Sequence, residues 1–190
     1  MAKHSKWPLR YANRAFAWLD HISRYKIVVC CLLMFSVIGL RLALIHRRPI
    51  PQPFIADEFS YLLGAETFLS GRVTNPMHPM WEHFETLHEL VRPSYTTMYP
   101  PGQSISLALG WRLFGHPWFG ILFSFGLFAA CLCWMLQQWV PPIYALFGAS
   151  VLLARISVLG YWMNSYSGEE LSLLLAAASS WAPCRAWRVQ

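Results

Sequence analysis

Apolar runs of different lengths alternate with polar, proline-rich chain in this sequence, and their lengths decide what each can form. Residues 27–46 are apolar except for Arg41 and the closing His46. About 20 such residues make a helix long enough to cross a bilayer. Arg41 stands near the outer end of the run, where a long side chain can snorkel to the interface. A cleaved signal peptide fits this run poorly, because the run is too long and no small-x-small cleavage site follows it. Residues 118–140 give the clearest signal: no charged side chain, with Trp118 and Trp139 as interface anchors. Pro141-Pro142 turns the chain. Residues 141–162 are then a third spanning candidate, containing Arg155, which must face protein, water or a headgroup.

Residues 47–117 are polar by comparison. Pro49, Pro51 and Pro53 forbid continuation of the first helix. Residues 57–70 read as a short helix: Asp57 can cap it, Phe59, Leu62, Leu63 and Leu69 form an apolar stripe, and Gly71 can close it. It is too short to span and is expected on the membrane surface. Residues 74–98, rich in Pro, His, Met and aromatics, read as an ordered loop. Tyr99-Pro100-Pro101-Gly102 ends that loop, and 103–114 follows as a short apolar helix carrying Arg112, expected to be re-entrant or interfacial.

Composition turns these lengths into a class. The chain has 190 residues, 56% hydrophobic and only 13% charged, against about 25% charged in soluble domains. The expected fold is an all-α integral membrane protein with about three transmembrane helices and an outer loop bearing short surface helices. Charge supplies the orientation. Six of the fifteen Lys and Arg residues lie in the first 26 positions, which marks residues 1–26 as a cytoplasmic flank of a multi-pass inner (plasma) membrane protein. Arg47 and Arg48 reduce this asymmetry without reversing it. In the tail, Trp7, Tyr11, Ala15, Trp18, Leu19 and Ile22 recur at helical spacing, which fits an interfacial helix against the lipid bilayer; a frayed tail fits as well. No nucleic-acid partner is expected, because an apolar segment follows the basic residues at once. With the amino terminus inside, the first span runs out, the second in and the third out. The 47–117 loop and the cluster from Tyr161 to Tyr166 then share the outer face. Residues 163–190 combine that cluster with an apolar stretch too short to span and an ending, Pro183 to Arg188, that reads as an aberrant or truncated tail.

Several residues could carry chemistry. Asp57-Glu58 can act as a general base toward a hydroxyl; it can equally cap a helix and complement its dipole. His78, His83 and His88 with Glu82, Glu85 and Glu89 are metal-competent, but five-residue spacing does not gather them on one helix face, so they read as solvated loop residues and no metal or cofactor is assigned. Cys30, Cys31, Cys131, Cys133 and Cys184 read as structural, four of them inside apolar runs. His116 reads as an interface residue. Tyr99-Pro100-Pro101-Gly102-Gln103 also fits a simple helix start, since Pro is common at the first helical position.

Taken together, the first apolar helix, Asp57-Glu58 opening a surface helix that ends at Ser70-Gly71-Arg72, Pro100-Pro101 before a helix ending Leu113-Phe114-Gly115, and an uncharged membrane helix resemble the amino-terminal part of the GT-C membrane glycosyltransferases. The likeness, over about residues 27–166, is to the family 39 group, which includes protein mannosyltransferases and the lipid A aminoarabinose transferase. It implies an incomplete GT-C fold, since family members continue into further spans. It implies transfer of a sugar from a polyprenyl-phosphate donor to an acceptor on the outer face. By motif position the catalytic acidic residue is Asp57, which would deprotonate the acceptor, with Glu58 beside it. Tyr99 stands where relatives commonly have Lys, so the donor phosphate would be met by Arg72, Arg92 or Arg112, and Tyr99, Pro100, Asn164 and Tyr166 would line the substrate site. A non-catalytic module paired with a second membrane subunit, and an outer-face metal-binding protein, are the competing expectations.

Overall fold

The computed structural model describes residues 25–156 and 159–167. The expected interfacial helix over Trp7 to Ile22, the ending after residue 167 and Cys184 lie outside the described residues. Within them the chain is mostly helical. Its α-helices are α1 (Lys26–Ala43), α2 (Ala56–Leu69), α3 (Pro101–Phe114), α4 (Trp118–Leu136) and α5 (Pro142–Ile156). The segment read as an ordered loop holds a single 3-10 turn (Trp81–His83) and a minimal antiparallel hairpin, β1 (Glu89–Leu90) with β2 (Thr96–Thr97), in the register Glu89 to Thr97 and Leu90 to Thr96.

Helices α1 and α4, of 18 and 19 residues, are long and apolar enough to cross a membrane. The third expected span, 141–162, is described as helical over Pro142–Ile156 and is not helical to its end, since Gly160 is extended. A second 3-10 turn, Tyr161–Met163, brings the chain back onto the bundle, where the Trp118 indole donates to the Met163 carbonyl at 3.0 Å. That hydrogen bond and the complete burial of Met163 hold this turn against the bundle.

The centre of the molecule is α4, which packs against α1, α3 and α5. Helices α1 and α4 run antiparallel: Gly126 faces Met34 and Ile38, and Trp118 lies beside Arg41 near the end of α1. Helices α3 and α4 cross at Gly110 and Gly120, where a Cβ on either would strike the backbone of the opposing helix. Ser106 donates to the Gly120 carbonyl at 3.2 Å and pairs with Ser124 at 2.7 Å in the same crossing. Trp118, Ile121, Leu122 and Phe125 form the buried centre, while Ile27, Leu32 and Phe35 on α1 and Tyr144, Phe147 and Val151 on α5 stay exposed.

Arg41 does not snorkel. It is fully buried, its guanidinium 4.7 Å over the Trp118 ring, donating to the carbonyls of Arg48 (3.0 Å) and Pro49 (3.3 Å) and to Asn164 Oδ1 (2.8 Å). A buried cation needs such partners, and this one ties the chain leaving α1 to the segment that follows α5. The end of α1, the start of α4 and the 159–167 segment therefore meet at one end of the bundle, and α2 begins there.

Candidate active site

The start of α2 sets the site. An α-helix opens with unpaired N–H groups, and its N-cap, Ile55, has no polar side chain to satisfy them. Asp57 is inside the first turn and does not cap it. Glu58, at the third helical position, supplies half of a capping box instead: its Oε2 accepts from the backbone N–H of Phe54 (2.7 Å) and Ile55 (3.3 Å). Its other oxygen, Oε1, accepts from the Ser165 hydroxyl (2.6 Å) and the Tyr166 N–H (2.9 Å). Burial alone would raise the Glu58 carboxyl, but these four hydrogen bonds outweigh it and hold the group below the ordinary glutamate range. Glu58 is 5% exposed. A carboxylate with four donors has filled its acceptor sites, so Glu58 is a positioning group, not a second base.

Asp57 has the opposite surroundings. Its Oδ1 lies 2.9 Å from His88 Nδ1, with the two side chains 40% and 32% exposed respectively. The same His88 nitrogen lies 2.8 Å from the Tyr99 hydroxyl. Burial, and after it the Asp57 charge, push the Tyr99 phenol up to about 12, so it stays a proton donor across the physiological range. The Tyr99 ring stacks on Tyr61 at 4.7 Å and on His88 at 6.1 Å.

The hairpin delivers both partners. His88 immediately precedes β1, and Tyr99 follows β2 by two residues. Ser60, one turn after Asp57 on α2, donates to the His88 carbonyl at 2.6 Å and pairs with Thr97 Oγ1 at 2.7 Å. Thr97 Oγ1 in turn accepts the Tyr99 N–H at 3.2 Å. The turn of helix that carries Asp57 therefore also clamps the hairpin that carries His88 and Tyr99.

The other candidate residues separate into different places. Asn164 accepts from Arg41 and donates to the Gly160 carbonyl at 2.6 Å, and Tyr166, whose hydroxyl donates to the Pro51 carbonyl at 2.9 Å, also lines a cavity beside Phe59. Burial, then the Glu58 charge, raise the Tyr166 phenol to about 12. Pro100 is the N-cap of α3, with Pro101 in its first turn. Arg72 lies beyond the far end of α2, bonded to Ser70 at 3.3 Å. That is about 20 Å along the helix from Asp57 at 1.5 Å per residue. Arg92 lies over the Trp81 ring at 4.3 Å, and Arg112 is exposed in the last turn of α3. The three cations sit on three different elements.

The loop histidines differ in surroundings. His78 accepts from the Met80 N–H and meets Phe84 edge-on, His83 is exposed, and His88 faces Asp57. No group of three or more His, Cys, Asp or Glu residues that could hold a metal occurs among the described residues. A cavity of about 500 Å³ opens beside Phe59, Leu62, Glu66, Glu89 and Trp111. Its α2 residues lie on the helix face opposite Asp57, Ser60 and Gly64, as the 3.6-residue period requires.

Sequence reasoning missed His88 as a partner of Asp57, Arg41 as a buried clamp and Ser165 as a ligand of Glu58. Only Arg41 had a signal, a lone charge in an apolar helix. Comparison with known proteins returned no matching family model, no matching curated protein and no matching solved structure.

Proposed function

We propose that the chain is embedded in a membrane through α1, α4 and α5, with the Asp57 end of the bundle on the outer face, and that it takes part in sugar transfer from a polyprenyl-phosphate donor. The exposed apolar side chains of α1 and α5 support the membrane setting, since a soluble surface rarely leaves such a patch uncovered. The observation that carries the chemistry is the division of labour between adjacent carboxylates. Glu58 locks the outer segments together, and Asp57 is left partly open beside a histidine and a tyrosine. A single displacement at the sugar carbon would form the new glycosidic bond as the phosphate oxygen leaves, with the acceptor proton taken up at the Asp57 cluster.

The test is reconstitution of the full chain in liposomes containing radiolabelled polyprenyl-phosphate hexose, scoring donor binding and donor cleavage with water as the default acceptor. The proposal expects saturable binding and cleavage above protein-free vesicles. Absence of both overturns it. Binding without cleavage favours a second reading, a non-catalytic membrane subunit, which gains support from Arg72, about 20 Å along α2 from Asp57, since a departing phosphate needs a cation beside it.

A further inference from the structure

We infer that the proton acceptor of the Asp57 cluster is His88 Nε2, and that Asp57 is the positioning residue that holds the imidazole. This rests on the sugar-transfer reading above and changes which residue performs the proton step. An ionised carboxylate only accepts hydrogen bonds, so the 2.9 Å approach of Asp57 Oδ1 to His88 Nδ1 favours the tautomer with its proton on Nδ1. With the proton there, Tyr99 does not donate to that nitrogen. In that tautomer the Tyr99 oxygen, 2.8 Å away, accepts from the same Nδ1–H. With Nδ1 protonated, the neutral ring carries its lone pair on Nε2.

Nε2 is free to use it. It has no hydrogen-bond partner among the described residues and is not a buried unpartnered atom, so it reaches solvent. The ring is held from three directions: Ser60 grips the His88 carbonyl, Asp57 grips Nδ1, and Tyr99 stacks alongside. A carboxylate that orients an imidazole whose far nitrogen faces the reactant is the general arrangement of a His base. In the step itself, Nε2 takes the acceptor hydroxyl proton and the acceptor oxygen bonds to the sugar carbon. The carbon–phosphate oxygen bond breaks, its electron pair leaving with the polyprenyl phosphate. The imidazolium then returns its proton to water.

Two measurements on the full chain in lipid nanodiscs test this. The first is the ¹⁵N spectrum of labelled histidine, with the His88 signals identified by their loss in His88→Gln. The inference expects the Nδ1–H tautomer for neutral His88 and loss of that preference in Asp57→Asn. An Nε2–H tautomer, or no response to Asp57→Asn, overturns it without touching the sugar-transfer reading. The second is donor cleavage: His88→Ala falls about 100-fold or more and is partly restored by added imidazole, while Asp57→Asn falls and is not restored. Cleavage by His88→Ala within about twofold of wild type, with Asp57→Asn inactive, returns the base to Asp57. No cleavage by the wild-type chain overturns the transfer reading and this role for His88 together.

Discussion

Asp57 and Glu58 are neighbours in sequence and opposites in surroundings. Glu58 is buried and accepts four hydrogen bonds, two from the segment entering α2 and two from residues more than a hundred positions later. Asp57 is 40% exposed and touches a histidine and a tyrosine carried on a two-residue hairpin. The helix period produces this difference. Successive residues point about 100° apart, so one carboxylate faces the returning 159–167 segment and the other faces the hairpin. One neighbour fixes the architecture, and the other is left with capacity to react.

Perturbing the buried side carries the largest expected effect. Glu58→Ala leaves the Ser165 hydroxyl and three backbone N–H groups without their acceptor, and is expected to cost about 3–5 kcal/mol, since hydrogen bonds to charged groups are each worth roughly 1.5–3. Thermal unfolding in detergent measures it. Arg41→Met follows at about 2 kcal/mol, because three acceptors lose their donor while the cost of burying a cation disappears. Cross-linking between the α1–α2 linker and residues 159–167 should weaken in the same variant.

Acid sharpens the contrast. The folded-state pKa of Glu58 lies below its unfolded value, so its stabilisation is present above the ordinary glutamate range of about 4.3 and is lost as pH falls through the lower folded value. The stability gap between wild type and Glu58→Gln is therefore constant near neutrality and narrows only below about pH 4, as melting temperatures across pH 3–7 would show. The smallest stability effect is expected for Asp57→Asn, within about 0.5 kcal/mol, as for an exposed group away from the core. A loss as large as that of Glu58→Ala would erase the distinction between the two carboxylates.

Much of the scaffold was legible from apolar run length. Expected helices over 27–46, 57–70, 103–114 and 118–140 correspond to α1, α2, α3 and α4 to within a few residues. Run length failed at α5. There the apolar character continues to Trp162, but the chain is already extended at Gly160 and turns at Tyr161–Met163, where Trp118 and Arg41 hold Met163 and Asn164. Asp57 and Glu58 could be named together but not told apart, because Glu58's partners at Ser165 and Tyr166 have no local signature. His88 was hidden for a related reason: the hairpin that presents it has only two residues per strand, too few for an alternating pattern. Arg72, Arg92 and Arg112 were grouped by charge alone, and charge carries no information about convergence.

Donor cleavage by the full chain in liposomes, compared between wild type and Asp57→Asn at matched melting temperature, tests the central claim most directly. The account predicts cleavage by wild type and a loss of about 100-fold or more in the variant. Equal cleavage by the two proteins, or none by wild type, would contradict it.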